Sequence, residues 1–417
     1  MTFAALSMTL EMTPEMTQET NIGPLADIRI LDLSTVLAGP FGATLCADLG
    51  ADVIKIELPD GSDALRKLEP SKDGMPLYWK VTNRGKRGVT LDVRKPGGRA
   101  AFLRMAAASD VIVENFRSGK LEDWGLGMDV LHEVNPRLVV LRLTGFGQTG
   151  PYRQKAGFAR IFEAMSGLTN LTGEPGGMPL HTNFPLGDTI AGLFGAFSIA
   201  AEMVRMRANP DARGVEIDLS ATEALFRLLE PLAVEYEQSG TVRGHQGNNA
   251  SYTAPSNMYV SADGVRFSLV ASSQAIFRRL CTAIGKADVA QDPRFLDNPG
   301  RVANTDALNE ILDRSFGASA FDELSRRLGA AGVPHSKIYT IEDIIRDPQF
   351  LARQAIIRLP DPELGSIPAP CIVPRVPGRT LPVPRSGPAT GEHNDEVYRS
   401  LGFGQDEIAQ LKRDGVI

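Results

Sequence analysis

The chain has 417 residues, 44 Lys+Arg against 50 Asp+Glu, and a formal net charge of −6. The length predicts two or three domains with ample cores, and the acid-leaning balance argues against nucleic acid or an anionic membrane as the main partner while leaving room for a local basic pocket. Cys46, Cys281 and Cys371 stand far apart, and the five histidines form no HxxxH pair and no Cys/His cluster. A reducing, cytoplasmic compartment without structural disulfides and no metal site are therefore expected. No apolar stretch reaches the roughly 18 residues that argue a transmembrane helix.

Residues 1–21 repeat Met, Thr and Glu, as in Met8-Thr9, Met12-Thr13 and Met16-Thr17. No basic segment precedes an apolar one, so this is not a secretory signal. A disordered tail is expected, with an internal methionine as an alternative start. Ile28–Leu33 reads as a strand, Ser34–Pro40 as a loop, Phe41–Leu49 as a helix closed by Gly50, and Asp52–Glu57 as the next strand. Strand–loop–helix–strand opens a doubly wound, Rossmann-like α/β domain. The loop lacks GxGxxG spacing, which weighs against a dinucleotide.

The basic loop Asn83–Gly88 leads into the strand Val89–Val93, then the helix Pro96–Ala108 and the strand Val111–Phe116. Arg117–Lys120 follow that strand, and Thr144–Pro151 follow the strand Leu138–Leu143. Ligands of open α/β sheets gather beyond the carboxyl ends of the strands. Ser34–Pro40, Asn83–Arg87, Asn115–Lys120 and Gly145–Tyr152 are therefore predicted to share one rim, rich in basic and amide groups suited to phosphates and carbonyls.

A short helix within 157–167 carries Arg160 and Glu163, and a turn-rich stretch leads to Pro185-Leu186-Gly187-Asp188. From Thr189 to Met203 the only charge is Glu202, so a helix starting at or just after Asp188 is expected to be buried on nearly every side. Gly192 and Gly195 would admit a close neighbour. Asp188 reads two ways: as an ordinary N-cap, or as a carboxylate kept ionised by the helix start, where a neighbouring oxyanion is also stabilised. Val215–Leu219 follows as a strand and Glu223–Tyr236 as a helix. After the polar loop Gly240–Ser251, the strands Met258–Val260 and Arg266–Val270 and the helices Gln274–Ile284, Thr305–Ser315 and Ala320–Ala331 predict a second, smaller α/β domain. Thr340–Ala355 reads as helix, the chain beyond Leu359 as a Pro-rich extended segment, and Asp406–Arg413 as the last helix.

Leu31-Asp32-Leu33-Ser34 with Leu37-Ala38-Gly39-Pro40, Leu49-Gly50-Ala51-Asp52-Val53-Ile54-Lys55-Ile56-Glu57, Asn83-Arg84-Gly85-Lys86-Arg87, Val113-Glu114-Asn115-Phe116, Gly145-Phe146-Gly147-Gln148-Thr149-Gly150-Pro151, Gly187-Asp188 and Gly391-Glu392-His393 occur in this order. The ordered set resembles the family III CoA-transferases of the CaiB/BaiF type, the group of formyl-CoA transferase, carnitine CoA-transferase and α-methylacyl-CoA racemase. The resemblance implies a large domain built from both chain ends with a small domain inserted, in interlocked dimers. Placed on this chain, that gives 22–210 for the large domain, 211–230 for a linker, 231–335 for the small domain and 336–417 for the returning segment.

The same resemblance implies that Asp188 is the nucleophile, passing through an aspartyl anhydride and an aspartyl-CoA thioester. It places Val36 and Leu37 at the thiol end of CoA and Asn115 and Phe116 along its length, and leads us to assign Lys86 and Arg87 to the phosphates; Gly187 and Gln148 border the substrate. Arg117 and Lys120 either assist or are solvated. The CoA-contacting arginines of formyl-CoA transferase match Leu58 and Asp123 here, with Arg66 a possible replacement. Acyl-CoA and carboxylic acid are the expected substrates, coenzyme A is needed without a metal, and the assembly is a homodimer or a heteromer.

The racemase branch pairs its aspartate with a histidine in a Gly-His-Asp stretch, which here reads Gly157-Phe158-Ala159. Phe158 cannot move a proton, so a two-base racemisation lacks one base. Arg160 either clamps the far carboxylate of a dicarboxylic acid such as succinate or forms a salt bridge. Transfer of CoA is the leading expectation, with racemisation and a subunit of a heteromeric transferase as the alternatives.

Overall fold

A computed structural model describes residues 23–417; the expected tail lies outside the described residues. The chain divides into two compact units, the larger formed by residues 23–166, 182–230 and 354–417, the smaller by 167–181 and 231–353. The larger unit contains, in order, β1 (Arg29–Asp32), α1 (Ala38–Asp48), β2 (Asp52–Glu57), a short hairpin of β3 (Ser71–Lys72) and β4 (Met75–Pro76), α2 (Leu77–Thr82), β5 (Arg87–Thr90), α3 (Pro96–Ala107), β6 (Val111–Glu114), α4 (Lys120–Asp123), α5 (Met128–Val134), β7 (Val139–Thr144) and α6 (Ala159–Met165). Then come α7 (Leu186–Ala208), β8 (Glu216–Ser220) and α8 (Ala221–Arg227).

Six strands form one sheet in the order β5-β2-β1-β6-β7-β8, with every neighbouring pair parallel. Counted along the chain this is third, second, first, fourth, fifth, sixth. The winding reverses between β1 and β6, which opens a crevice at their carboxyl ends. β1, β2, β6 and β7 each carry adjacent apolar residues buried on opposite faces of the sheet, as parallel strands covered on both sides require. Ile30, Val53, Val111 and Val139 point into a core shared with Cys46, Ile199 and Met203 of α1 and α7. Their neighbours Leu31, Ile54, Ile112 and Val140 point into the opposite core with Phe102 and Met105 of α3 and with Val397, Tyr398, Ile408 and Leu411 near the chain's end.

Several expectations change. The α1 helix starts at Ala38 rather than Phe41, since a proline in the first turn gives up no hydrogen bond. The α7 helix starts before Asp188, which sits in its first turn without a capping hydrogen bond. It is not buried on every side: Leu193, Phe197 and Val204 are 57%, 68% and 66% exposed. Its 23 residues contain an 18-residue window of mean hydropathy 1.3, long and apolar enough to cross a membrane, contrary to the run-length reading. Its backbone nevertheless packs on α1: a Cβ on Gly192 would lie 2.5 Å from the Ala38 carbonyl, and one on Gly195 would strike Leu141. Residues 211–230, expected as linker, supply the edge strand β8 and α8.

The smaller unit holds α9 (Pro231–Ser239), β9 (Ser256–Val260), β10 (Arg266–Val270), helices α10 (Gln274–Ala283), α11 (Asn298–Ala303), α12 (Thr305–Phe316) and α13 (Phe321–Ala330), β11 (His335–Lys337), α14 (Ile341–Arg346) and α15 (Pro348–Ala352). Its antiparallel sheet runs β11-β10-β9 over a core of Phe267, Phe277, Leu280, Leu308, Phe316, Leu324 and Leu328. Residues 336–353 belong here, not with the returning segment. Pro231 and Pro348 split the two helices predicted across them, because a proline interrupts the hydrogen-bond ladder. The returning segment forms the hairpin of β12 (Ile356–Asp361) and β13 (Gly365–Pro370), then α16 (Asn394–Ser400) and α17 (Gln405–Arg413).

Candidate active site

A cavity of about 400 Å³ opens at the reversal point, lined by Thr35 and Val36 after β1, Glu57 and Leu58 at the end of β2, Ser62 and Asp63, Leu91 and Arg94 after β5, and Phe116 and Trp124 beyond β6. Phe116 and Trp124 meet edge to face, centroids 4.8 Å apart. The loops after β1 and β6 are tied together: Asn115 Oδ1 accepts from the Thr35 N–H at 2.8 Å and Asn115 Nδ2 donates to the Thr35 carbonyl at 2.8 Å.

In the same unit, Asp188 lies in the first turn of α7. A side chain on Gly187 would bring its Cβ 2.8 Å from the Ala159 carbonyl, so the helix start packs against the backbone of α6. The Gly187 N–H donates to Glu163 Oε1 at 3.0 Å, and the Leu186 N–H donates to the Phe184 carbonyl. Among the described residues the Asp188 N–H has no acceptor and its carboxylate accepts no hydrogen bond. Burial, with the Glu163 carboxylate beside it, raises Asp188 from 3.8 to about 6. Tyr78 is raised by burial and by Asp188, and its buried hydroxyl has no hydrogen-bond partner.

The carboxylate expected to be held ionised by the helix start is thus pushed the other way. Desolvation outweighs the helix end, and Glu163 occupies the Gly187 amide. Of the Gly187 and Asp188 N–H groups at the helix start, only that of Asp188 is open. A carboxylate at about 6 is still mostly ionised at neutral pH, and without hydrogen bonds its lone pairs are available for attack.

The other predicted residues divide. Val36 and Phe116 line the cavity. Leu37 is 4% exposed and lies outside its wall. Asn115 clamps Thr35 with both ends of its amide. Lys86 does not face a phosphate site: its ammonium is fully buried, pairing with Asp32 at 2.8 Å and donating to the Pro40 carbonyl and Asn83 Oδ1. Burial and neighbouring Lys55 lower it to about 8 against the pull of Asp32. Arg87 is held by Asp52 and Glu396. Both misplacements have one cause: Asn83–Arg87 enters β5 at its amino end, as the pairing of Arg87 with Ile54 shows, so it leaves the carboxyl rim. Arg66 forks onto Glu57 at 2.8 and 2.7 Å and stacks 3.6 Å over Trp79. Lys120 pairs with Asp123. Arg160, next to Ala159, is exposed. Gln148 buries both atoms of its side-chain amide without a partner.

Sequence reasoning passed over Tyr78, Arg94, Asp63 and the effect of Glu163. The signal for Arg94 was its place just beyond a strand end; nothing local marks the other three. His181 and His245 belong to the smaller unit, where the His245 ring nitrogens lie 3.2 Å from the carbonyls of Asn170 and Gly177. Among the described residues no group of His, Cys, Asp and Glu is placed to hold a metal ion.

The comparisons with known proteins bear on this arrangement. Residues 25–394 match the family model described as CoA-transferase family III. The chain is similar to the succinyl-CoA–D-citramalate CoA-transferase of Chloroflexus aurantiacus, 40% identical and covering 94% of this chain and 98% of that protein. It is 36% identical to the alpha subunit of the succinyl-CoA–L-malate CoA-transferase of Chloroflexus aurantiacus, over 94% of this chain and 92% of that one. A CaiB/BaiF family protein from Brucella suis superposes with TM-score 0.81 at 32% identity, over 91% of this chain and all (100%) of that one.

Proposed function

The chain belongs to CoA-transferase family III, and from that premise we propose that it moves CoA from succinyl-CoA or a similar dicarboxylic thioester to a second carboxylic acid through Asp188. One observation carries the reading: a carboxylate with no hydrogen bond on it, beside a backbone N–H with no acceptor, at the start of a helix packed on α6.

The Asp188 carboxylate attacks the thioester carbonyl and expels CoA as its thiolate, leaving an aspartyl–acyl anhydride. The thiolate then attacks the aspartyl carbonyl, giving an aspartyl-CoA thioester and the first acid. The acceptor carboxylate attacks that thioester, forms a second anhydride and again releases the thiolate. The thiolate takes the new acyl group, and Asp188 is restored. Each step exchanges one acyl bond for another and no proton is transferred, so the site needs no general base. Each tetrahedral intermediate carries an oxyanion. The open Asp188 N–H is the donor in reach, and one such donor is worth ~3 kcal/mol. The orphan hydroxyl of Tyr78 and the orphan amide of Gln148 support hydrogen bonding to bound acyl groups.

The cavity at the reversal point accepts the CoA chain along Val36 and Phe116. Arg94 takes the phosphate role first given to Lys86 and Arg87. Arg160 clamps the far carboxylate of the acid; the citramalate and malate named for the relatives are dicarboxylic, which supports this. The exposed apolar stripe of α7, with Phe158 just before α6 71% exposed and Ile161 on it 51% exposed, supports an interlocked homodimer, and the three free thiols support a reducing cytoplasm. The malate-specific relative is named as a subunit, so a heteromer is the alternative, and size exclusion separates the two: the homodimer predicts about twice 45.0 kDa with activity from this chain alone.

The test is intact-protein mass spectrometry after incubation with succinyl-, acetyl- and propionyl-CoA, quenched with hydroxylamine or borohydride, beside Asp188→Ala. A mass change mapped to Asp188 and absent from the variant supports the covalent route. An active wild type with an equally active Asp188→Ala rejects it.

A further inference from the structure

Val36 has a backbone φ of +64°, the left-handed region that a β-branched residue almost never occupies. Such a conformation persists only where its surroundings over-determine it. Here Asp63 Oδ1 accepts from the Val36 N–H at 3.1 Å and from the Leu65 N–H at 2.9 Å. On one side Thr35 is pinned by Asn115, and on the other α1 begins at Ala38. Asp63 is 7% exposed. Its Oδ2 accepts no hydrogen bond and faces Lys55 Nζ at 3.7 Å. Beneath the loop, two buried carboxylates, Asp32 and Asp63, face two buried ammonium groups, Lys55 and Lys86, so the cluster closes without net charge. Val36 and Asp63 both line the cavity.

We propose that Asp63 is a positioning residue that holds Val36 in its left-handed conformation and so shapes the wall against which CoA lies. The proposal rests on the reading of this cavity as the CoA site. Without the Asp63 acceptor, the Val36 N–H is left unpaired and the residue is free to rotate to negative φ, carrying its side chain off the wall.

The test is calorimetric titration of the full chain with coenzyme A, using wild type, Asp63→Ala, Asp63→Asn, Val36→Gly and the Asp63→Ala/Val36→Gly double variant. Glycine occupies positive φ without strain, so the clamp has nothing to hold in the Val36→Gly background. Asp63→Ala should weaken CoA binding about tenfold alone but less than about threefold in that background, the signature of coupled neighbours. Asp63→Asn keeps the acceptor for Val36 and should bind within about threefold of wild type, while melting earlier because Lys55 loses the charge it faces. An equal loss from Asp63→Ala in both backgrounds overturns the proposal. If Asp63→Ala does not fold, Asp63→Asn decides: near-wild-type binding supports the clamp and a tenfold loss overturns it. A folded wild type that binds no coenzyme A overturns the CoA reading itself, a separate result from these.

Discussion

Replacing Asp188 by asparagine should abolish transfer and, at the same time, stabilise the protein at neutral pH. The native carboxyl is raised from 3.8 to about 6, first by burial and then by Glu163. The folded state therefore binds the Asp188 proton more tightly than the unfolded chain does. The stability contributed by that protonated group is complete below the unfolded value and is lost as pH rises through about 6. Asparagine does not titrate, so the gap between variant and wild type grows with pH. At 1.36 kcal/mol per pH unit it reaches roughly 3 kcal/mol at pH 8 and falls to roughly 1.6 kcal/mol at pH 5. The assay is urea unfolding of both proteins at pH 8 and pH 5, followed by far-ultraviolet circular dichroism. A gap that does not change between the two pH values, or a wild type more stable than the variant at pH 8, would refute the reasoning.

Other outcomes follow from the same geometry. The proposed chemistry transfers no proton but needs Asp188 ionised, so kcat/KM should fall tenfold per pH unit below about 6 and level off above it. Glu163→Gln removes the neighbouring negative charge while keeping an acceptor for the Gly187 N–H, and should move that inflection to lower pH; stopped assays from pH 4.5 to 8 read both. Arg160→Ala should raise the KM for dicarboxylic acids about tenfold or more, the weight of one charge-assisted pair, and leave monocarboxylic acids unchanged; unchanged constants for both would reject the clamp. Arg94→Ala should raise the KM for acyl-CoA, an effect that fades when dephospho-CoA thioesters are compared. Lys86→Met should instead lower the melting temperature, since it leaves the buried cluster of Asp32, Asp63 and Lys55 one positive charge short.

The sheet was legible in the sequence because its physics is local. Ile30–Leu31, Val53–Ile54, Val111–Ile112 and Val139–Val140 are adjacent apolar pairs, and only a strand covered on both faces has use for such pairs. The place of Asp188 at the start of a long helix was legible from the apolar run that follows it. The surroundings of Asp188 were not. Glu163 lies 24 positions before Gly187 along the chain and reads as one more charge on a short helix. That it takes the Gly187 amide, and so leaves only the Asp188 N–H open, depends on how α6 packs on α7. The cost of desolvating the carboxylate depends on the same packing, and no local pattern reports it.

The basic residues failed for a related reason. A lysine in a glycine-rich loop announces a charge but not its partner, and the partner decides whether that charge is available. Lys86 reaches Asp32, 54 positions earlier at the end of β1, so its charge is taken up beneath the cavity loop, while the backbone of its own loop arrives at the amino end of β5. Parallel order fixes which end of each strand a loop belongs to, and a loop that precedes a strand cannot sit on the carboxyl rim. Arg94 follows β5 and remains at the cavity, where it forks onto Asp92 yet keeps 53% of its side chain exposed. The reassignment from Lys86 to Arg94 is therefore a consequence of strand direction, and comparing Arg94→Ala with Lys86→Met tests it: the first should change affinity for acyl-CoA without changing stability, the second should do the reverse.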